Sequence, residues 1–418
     1  MTQDAADRPT HDERQRLVKK PRRDRFTSTI AVNGDMSSYS ELSVEQAAIR
    51  ETAHDFGRDR LAPFALDWDK EHVFPIDTLR DAAALGMASI NVREASGGAG
   101  LTRFDGVLIF EALAMGCPTI AAYLSIHNMC ASLIDAFGSE RQIDRWLPKL
   151  VTMEVLSSYC LTESGSGSDA AALRTQATQS GDDYVLNGAK QFISGAGAGG
   201  GDHLYVVMAR TGEPGPKGIS AFVVEGGTPG LSFGALERKM GWNAQPTRAV
   251  IFDECRVPAE NLIGREGDVF KIAMTALDGG LLNIAACSLG GAQSAFDHCL
   301  RYMSSRKAFG RALDEFQALQ FRLADMATEL EVSRTFLWRA AAALDAKAPG
   351  ATTLCAMAKR VVTDAGFNVA NEALQLHGGY GYLSEYGVEK IVRDLRVHQI
   401  LEGTNEIMRV IIARALLK

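Results

Sequence analysis

Short apolar runs separated by turn residues fill the middle of the sequence and decide its fold. The clearest is LYVVMA at Leu204–Ala209, which stands among YVL at Tyr184–Leu186, KQFI at Lys190–Ile193, SAFVV at Ser220–Val224 and AVIF at Ala249–Phe252. Glycine, asparagine, aspartate and proline punctuate the runs, as expected between strands. No helical pattern separates them, so they predict an antiparallel sandwich or barrel rather than a Rossmann sheet.

Helical periodicity surrounds this strand-rich segment on both sides. Apolar residues recur at helical spacing from about Ser40 to Leu150, and again from about Glu266 to the end of the chain. The second region holds four or five long amphipathic segments joined by short connections, a pattern typical of a helix bundle. We therefore predict an α+β multidomain protein with an N-terminal all-α domain at 39–155, a central antiparallel β barrel at 156–265 and a C-terminal four-helix bundle at 266–418.

Composition excludes several classes of protein. The 418 residues are 46% hydrophobic and 23% charged, which is ordinary for globular domains, and the net charge of −7 argues against a nucleic-acid binder. Basic residues cluster only in residues 1–38, where acidic residues interleave with them, so we predict a disordered, solvated tail. A mitochondrial transit peptide is poor in acidic residues. The sequence therefore predicts a bacterial cytoplasmic location rather than the mitochondrial matrix.

Neither a membrane helix nor a metal site is predicted. The longest apolar stretch, Val107–Ile126, contains Glu111 and Pro118, so we expect a buried helix with a break. Seven cysteines show no Cys-x-x-Cys spacing, and eight histidines show no metal-ligand spacing. We expect buried, reduced thiols.

A glycine-rich segment opens the strand-rich region. Gly165–Ala170 fits the pattern G-x-G-x-x-A, but no βαβ unit follows it, and no P-loop motif occurs in the chain. Its small residues would leave backbone N–H groups available to an anion or a flavin carbonyl. Taken alone, the segment is better explained as a plain turn before a strand.

Several motifs together change that interpretation. They are YCLTESGSGSD at Tyr159–Asp169, FIS at Phe192–Ser194, SRKAFGR at Ser305–Arg311, QLHGGYGY at Gln375–Tyr382 and LEGTNE at Leu401–Glu406. In this combination the chain resembles the acyl-CoA dehydrogenase family from about residue 40 to its end. The closing stretch, Arg393–Arg409, looks most like the isobutyryl-CoA dehydrogenase branch.

The resemblance implies a function and a partner. Family members remove the α proton of an acyl-CoA thioester with a carboxylate while the β hydrogen leaves as hydride to N5 of FAD. The position of that base is matched by Glu402, whose apolar neighbours would raise its pKa. On its own, Glu402 could instead cap the last helix, with Thr404 as an alternative cap. The resemblance also implies a homotetramer that passes electrons to an electron-transfer flavoprotein.

The family's binding residues carry over by position. FAD contacts, some of them from a neighbouring subunit, match Tyr159, Leu161, Thr162, Gly167, Ser168, Phe192, Ile193, Ser194, Arg306, Phe309, Phe316, Gln317, Gln375, Leu376, His377, Gly378, Gly379, Thr404, Asn405 and Glu406. Acyl-CoA contacts match Ser168, Leu277, Asp278, Gly279, Gly280, Leu281, Gly403 and Arg414. If FAD contacts are shared between subunits, FAD binding requires at least a dimer.

One departure from the family pattern keeps two alternatives open. Leu281 stands where the family generally has arginine, and a missing cation would weaken CoA binding or alter the electrostatics around Glu402. A catalytically impaired flavin- or CoA-binding relative is therefore one alternative to a short-chain or branched-chain acyl-CoA dehydrogenase. An oxidase on the same fold, passing electrons to oxygen, is the other.

Overall fold

A computed structural model describes residues 42–267 and 269–417, and the side chains of these residues except 269–276. The tail predicted at 1–38 lies outside the described residues. The described part begins with six helices: α1 (Val44–Phe56), α2 (Ala65–Glu71), α3 (Ile76–Ala84), α4 (Arg103–Gly116), α5 (Pro118–Phe137) and α6 (Glu140–Val151).

Local sequence signals set where these helices begin. Ser43, Thr102 and Ser139 each accept a hydrogen bond from the backbone N–H three residues on, and the side chain of that residue bonds back to the cap. Pro118 is the first residue of α5, so the predicted break in the long apolar stretch is observed between α4 and α5. Within the described residues, α5 is long and apolar enough to cross a membrane by length and composition, and 78% of its most apolar window is buried in the fold.

Eight strands follow and form one sheet. They are β1 (Leu156–Cys160), β2 (Gln176–Ser180), β3 (Asp183–Ser194), β4 (His203–Arg210), β5 (Ile219–Glu225), β6 (Leu231–Phe233), β7 (Thr247–Pro258) and β8 (Leu262–Ile263). Their order is β6-β7-β3-β2-β4-β5-β8, with β1 paired to β4.

The sheet is mostly antiparallel, but two of its pairings are not. β1 runs parallel to β4 over five residue pairs, and β2 meets β4 in parallel at one pair. The remaining pairings are antiparallel, as predicted for this domain. Parallel neighbours need a long crossover connection, and the chain between β1 and β4, which includes β2 and β3, supplies it.

Strand β4 explains why the run LYVVMA is apolar at every position. Leu204, Val206 and Met208 pack into a core shared with α5 and α6, whereas Tyr205 and Val207 pack into the core between the strands. Because alternate side chains of a strand point to opposite faces, a strand buried on both faces needs apolar residues throughout.

The remaining described chain is largely helical. It contains five helices: α7 (Val269–Ser305), α8 (Gln317–Asp345), α9 (Ala351–His377), α10 (Val388–His398) and α11 (Asn405–Leu416). A two-stranded ribbon of β9 (Lys307–Ala308) and β10 (Arg311–Ala312) lies between α7 and α8. One continuous apolar core joins them to α1, α4 and α5. The helical ends and central sheet agree with the predicted fold class, while the exact domain boundaries stay predictions. All seven cysteines are buried and free, as expected.

Candidate active site

The segment between α10 and α11 places Glu402 at the centre of the candidate site. Thr404, not Glu402, caps α11: its side-chain oxygen accepts a hydrogen bond from the backbone N–H of Ile407 at 3.3 Å. Glu402 itself has a φ of 53°, an uncommon backbone conformation for a residue with a side chain. The alternative in which Glu402 serves as the helix cap therefore fails, and its carboxylate is left for another role.

The carboxylate of Glu402 lies in a confined apolar setting. Its Oε2 is buried without a hydrogen-bond partner among the described residues. Gly280 of α7 lies directly against it, since a Cβ at position 280 would stand 2.7 Å from Oε2. Burial raises the pKa of Glu402 to about 7 because the charged form loses hydration. Such a group is poised to take a proton near neutral pH.

A buried lysine holds the segment around Glu402 in place by hydrogen bonds. Lys359 of α9 is fully buried, and its Nζ donates hydrogen bonds to the carbonyl of Gly403 at 2.7 Å and to Oδ1 of Asn405 at 3.0 Å. Its positive charge opposes the effect of burial on the pKa of Glu402. Sequence reasoning missed Lys359, whose signal was a lysine on an otherwise apolar helix face.

Two further buried groups feel the charge of Glu402. The hydroxyl of Tyr159 is buried without a hydrogen-bond partner among the described residues. Burial raises the pKa values of Tyr159 and Cys287, and the nearby carboxylate of Glu402 adds to both shifts. The structure thus brings Glu402 together with Tyr159 of β1. Tyr159 belongs to the predicted FAD contacts at 159–168 and 192–194, which we call the flavin wall.

The glycine-rich loop after β1 is anchored by a buried ion pair. Nζ of Lys190 lies 2.8 Å from Oε1 of Glu163 and donates a second hydrogen bond to the carbonyl of Leu161 at 3.1 Å. Glu163 also accepts hydrogen bonds from the backbone N–H groups of Arg174 at 2.7 Å and Thr175 at 2.9 Å. Sequence reasoning missed both members of this pair, and only a lysine inside a strand signalled it.

The anchored loop leaves its glycines facing open space. A Cβ at Gly165 or Gly167 would meet nothing within 4 Å, and Ser168 is exposed. Thr162 uses its carbonyl to accept a hydrogen bond from Gln191 at 2.8 Å. The loop can therefore be approached closely by a bound group.

Strand β3 supplies the other predicted part of the flavin wall. Phe192 is 64% exposed with a φ of 61°, so its ring does not pack into the core of the sheet. Its neighbour Ile193 is 3% exposed and packs into the sheet core. Ser194 uses its carbonyl to accept a hydrogen bond from Ser158 at 2.6 Å. The exposed ring of Phe192 is free to stack on a planar group.

A second group of predicted cofactor residues lines a cavity at the far end of the bundle. The cavity has a volume of about 450 Å³. Its predicted members are Arg306, Gln375, Leu376, His377, Gly378 and Gly379, joined by Tyr302 and Arg322. The guanidinium of Arg306 beside the open Gly378 and Gly379 suits an anionic group such as a pyrophosphate, whereas Arg322 is paired with Glu372.

The aromatic rim beside this cavity is open in a single chain. Phe309 is 96% exposed, and its ring centroid lies 6.3 Å from that of the half-buried Phe316. Gln317 next to it is exposed.

One chain does not bring the two groups of cofactor residues together. Lys359, which bonds the segment of Glu402, and Gln375 at the cavity both lie on α9, sixteen residues apart. At about 1.5 Å per residue the helix separates them by roughly 24 Å. Whether neighbouring subunits complete each other's cofactor sites stays a prediction.

Predicted substrate residues fall into two sets. Gly280 and Gly403 lie at Glu402, and Gly403 has a φ of 89° that favours glycine. Gly279 instead faces the guanidinium of Arg103, which a Cβ at 279 would approach to 2.5 Å. Arg414 is exposed near the end of α11, and no hydrogen bond or ion pair joins it to a described residue.

Leu277 and Asp278 lie on the same helix as Leu281, the position at which the family generally has arginine. Asp278 accepts a hydrogen bond from the hydroxyl of Thr352 at 2.6 Å, and burial raises the pKa of its carboxyl group. Leu277 before it is half-buried. Leu281 is 3% exposed and packs into the helical core.

Within the described residues, no cluster of three or more histidine, cysteine, aspartate or glutamate side chains could hold a metal ion.

The side chain of Asn405, a predicted FAD contact, also bonds within the protein: its Nδ2 donates a hydrogen bond to Oδ1 of Asp364 at 2.7 Å. Glu406, next along α11, is exposed.

Comparison with protein families accounts for nearly the whole described chain. Residues 43–154 match the N-terminal domain of acyl-CoA dehydrogenase, residues 158–255 its middle domain and residues 267–417 its C-terminal domain. The chain belongs to the acyl-CoA dehydrogenase family. The resemblance inferred from the motifs is thereby confirmed, and the chain is an oxidoreductase that acts on acyl-CoA.

Two relatives support the predicted branch of this family. Isobutyryl-CoA dehydrogenase of Dictyostelium discoideum is 55% identical over 378 residues, and that of Bos taurus is 54% identical over 377, with 90% of both chains covered in each case. Both relatives are named mitochondrial. The predicted bacterial cytoplasmic location was therefore wrong: acidic residues in the first 38 positions did not outweigh similarity over 90% of the chain.

Solved structures agree with this assignment. Butyryl-CoA dehydrogenase from Megasphaera elsdenii is 38% identical with a TM-score of 0.87, covering 91% of this chain and all of that one. An FAD complex of PigA is 30% identical with a TM-score of 0.86, covering 90% of this chain and 98% of that one. FAD is the cofactor of this family, as predicted.

Proposed function

We propose that this enzyme dehydrogenates a short branched acyl-CoA, isobutyryl-CoA in the first instance, to the 2-enoyl-CoA, as a step of valine or other branched-chain catabolism. The observation that carries the reaction is the buried, unpartnered Oε2 of Glu402, with a pKa raised to about 7. The substrate rests on the isobutyryl-CoA dehydrogenases that are 54% and 55% identical to the chain.

Glu402 would remove the α proton of the thioester. A base with a pKa of about 7 is half ionised at neutral pH and is much stronger toward a carbon acid than an ordinary carboxylate. Gly280 presents no side chain toward Oε2 of Glu402, so the thioester can reach the carboxylate from that side. Lys359 would hold the segment in place, which keeps the base oriented.

The described residues fit FAD at both groups of contacts. FAD, when bound, supplies the acceptor for the β hydrogen and its electron pair. The open glycine-rich loop at 161–168 and the exposed ring of Phe192 would hold the flavin ring system, with the unpartnered hydroxyl of Tyr159 beside it. Arg306 and the glycines at 378 and 379 would hold the phosphates of the cofactor.

The assembly and the electron acceptor complete the proposal. The exposed ring of Phe309 and the wide separation of the two contact groups support a homotetramer in which subunits share FAD. The proposed acceptor is an electron-transfer flavoprotein, which rests on the resemblance to the family.

A panel of straight and branched acyl-CoA thioesters tests the substrate. Under anaerobic conditions the visible flavin band should bleach fastest with isobutyryl-CoA. Bleaching by another acyl-CoA but not by isobutyryl-CoA would refute the substrate assignment. A panel is needed because one methylene group changes the selectivity of an enzyme by only about 1–3 kcal/mol. Rapid peroxide formation in air without an added acceptor would contradict the electron-transfer flavoprotein and favour an oxidase.

A further inference from the structure

A second cavity does not include Glu402 in its lining and serves none of the roles described above. It has a volume of about 250 Å³ and lies between the connection from α2 to α3 and the segment from β6 to β7. At roughly 30 Å³ per water molecule it would hold about eight waters, enough for a small organic ligand. Its lining residues include Phe74, Ile76, Lys239, Gln245 and Arg248.

Two side chains of this cavity have buried polar atoms without partners. Gln245 is 2% exposed, yet neither its Nε2 nor its Oε1 has a hydrogen-bond partner among the described residues. The Nε of Arg248 is likewise buried and unpartnered, and no described residue forms an ion pair with Arg248. Leaving a buried polar group unpaired lowers stability, so these atoms are expected to bond to a ligand.

A third donor adds positive charge. Nζ of Lys239 donates hydrogen bonds to the carbonyl of Gln245 at 2.6 Å and to the hydroxyl of Thr247 at 2.9 Å, both neutral oxygens. The acidic residue of the lining, Glu237, accepts a hydrogen bond from Gln191 at 2.8 Å. Among the lining residues two cations stand against one carboxylate; burial lowers the pKa of Lys239 to about 8, and the charges of Asp394 and Asp69 beyond the lining oppose that shift.

The opposite part of the lining is apolar. Phe74, Ile76 and Leu236 contribute rings and branched chains, which cannot satisfy a bare inorganic ion. From these contacts we propose that the cavity is a binding site for a small carboxylate with a short apolar chain. Its carboxylate would accept from Arg248, Lys239 and the amide of Gln245, and its chain would pack on the apolar lining.

The site lies next to the strand that carries the predicted flavin wall. Arg248 pairs with Ile193, and Thr247 with Ser194, across β3 and β7. The backbone N–H of Gly195 donates to the carbonyl of Pro246 at 2.8 Å. A carboxylate bound here therefore contacts the residues that hold the end of β3 in place, beside the candidate active site.

Isothermal titration of the FAD-loaded enzyme with isobutyrate tests the proposal. Saturable binding is expected, about tenfold weaker with acetate, which lacks the branched chain, and with isobutyramide, which lacks the charge. Inorganic phosphate should bind more weakly than isobutyrate. Phosphate binding more tightly than isobutyrate would overturn the ligand class, and absence of saturable binding would show that the cavity holds only water.

Variants locate the binding. Gln245→Leu and Arg248→Gln should each weaken isobutyrate binding by about tenfold or more, whereas Arg238→Gln, an equal change of charge at an exposed neighbour, should not. Equal weakening in all three would overturn the site. Because Gln245→Leu removes unpartnered polar atoms, it should also keep or raise the melting temperature, which guards against a folding defect.

A last titration separates this site from the proposed active site. Glu402→Gln enzyme saturated with isobutyryl-CoA should bind isobutyrate as the wild type does. Loss of binding under that condition would place the carboxylate in the thioester site and refute the second site. The variant results at the cavity stand whether or not isobutyryl-CoA proves to be the substrate.

Discussion

Replacing Lys359 by methionine should shift the pH dependence of catalysis. Lys359 is buried, its ammonium group bonds the residue next to Glu402, and its charge lowers the pKa of that carboxyl group. Methionine keeps the length and apolar stem of lysine but removes the charge and the two donors. The remaining effect of burial, acting alone, should leave Glu402 harder to ionise.

The size of the shift follows from the geometry. The ammonium is 2.7 Å from the carbonyl of Gly403. Two unit charges roughly 6 Å apart at an effective dielectric constant of about 20 attract by about 3 kcal/mol, or about two pKa units, and we take this as the upper limit of the lost attraction. The pKa of Glu402 should thus rise above about 7 by one to two units, and the ionised fraction at pH 7 should fall from about one half to a few per cent.

The assay is the pH profile of kcat/KM with isobutyryl-CoA. The acidic limb should move up by about one to two pH units in Lys359→Met, with activity recovered near pH 9, while Lys359→Arg, which keeps the charge, should move it less. A loss of activity that is equal at every pH would refute the electrostatic reasoning. It would leave Lys359 a structural role through its bonds to Gly403 and Asn405.

Three further predictions concern the same region. Lys190→Met leaves the charge of the buried Glu163 carboxylate without its cation, so it should cost about 3–5 kcal/mol of stability and lower FAD retention. Thermal melting and the visible flavin absorbance measure these two effects. Adding Glu163→Gln to the Lys190→Met enzyme should restore part of both. Leu281→Arg places a cation in the helical core beside Gly280, so it should lower the melting temperature and move the acidic limb of kcat/KM below its wild-type position. Burial raises the pKa of Glu402 from 4.5 to about 7, so the folded state binds a proton more tightly than the unfolded state and its stability falls as pH rises from about 4.5 through 7. Glu402→Gln should therefore be more stable than wild type at pH 8, by at most about 3 kcal/mol, and no more stable at pH 4, as measured by thermal melting.

The sequence predicted the fold class well because its periodicities are strong. The run at Leu204–Ala209 is apolar at every position because β4 is buried on both faces, and this pattern survives in the linear sequence. The parallel pairing of β1 with β4 is different in kind, because strand order depends on the path of the intervening chain.

The candidate site divides in the same way. Glu402 was found because it lies inside a motif, but Lys359 and the pair of Lys190 with Glu163 were missed because each depends on contacts between distant segments. Arg414 matched by position, yet in a single chain it touches no described partner.

The base assigned to Glu402 is tested most directly by one measurement. Glu402→Gln enzyme, loaded with FAD, is mixed anaerobically with isobutyryl-CoA, and bleaching of the flavin band is followed in single turnover. The isosteric amide cannot take the α proton, so the rate should fall by about 10²–10⁴-fold or more while FAD and thioester still bind. Bleaching within about tenfold of the wild-type rate would contradict the assignment and place the base elsewhere.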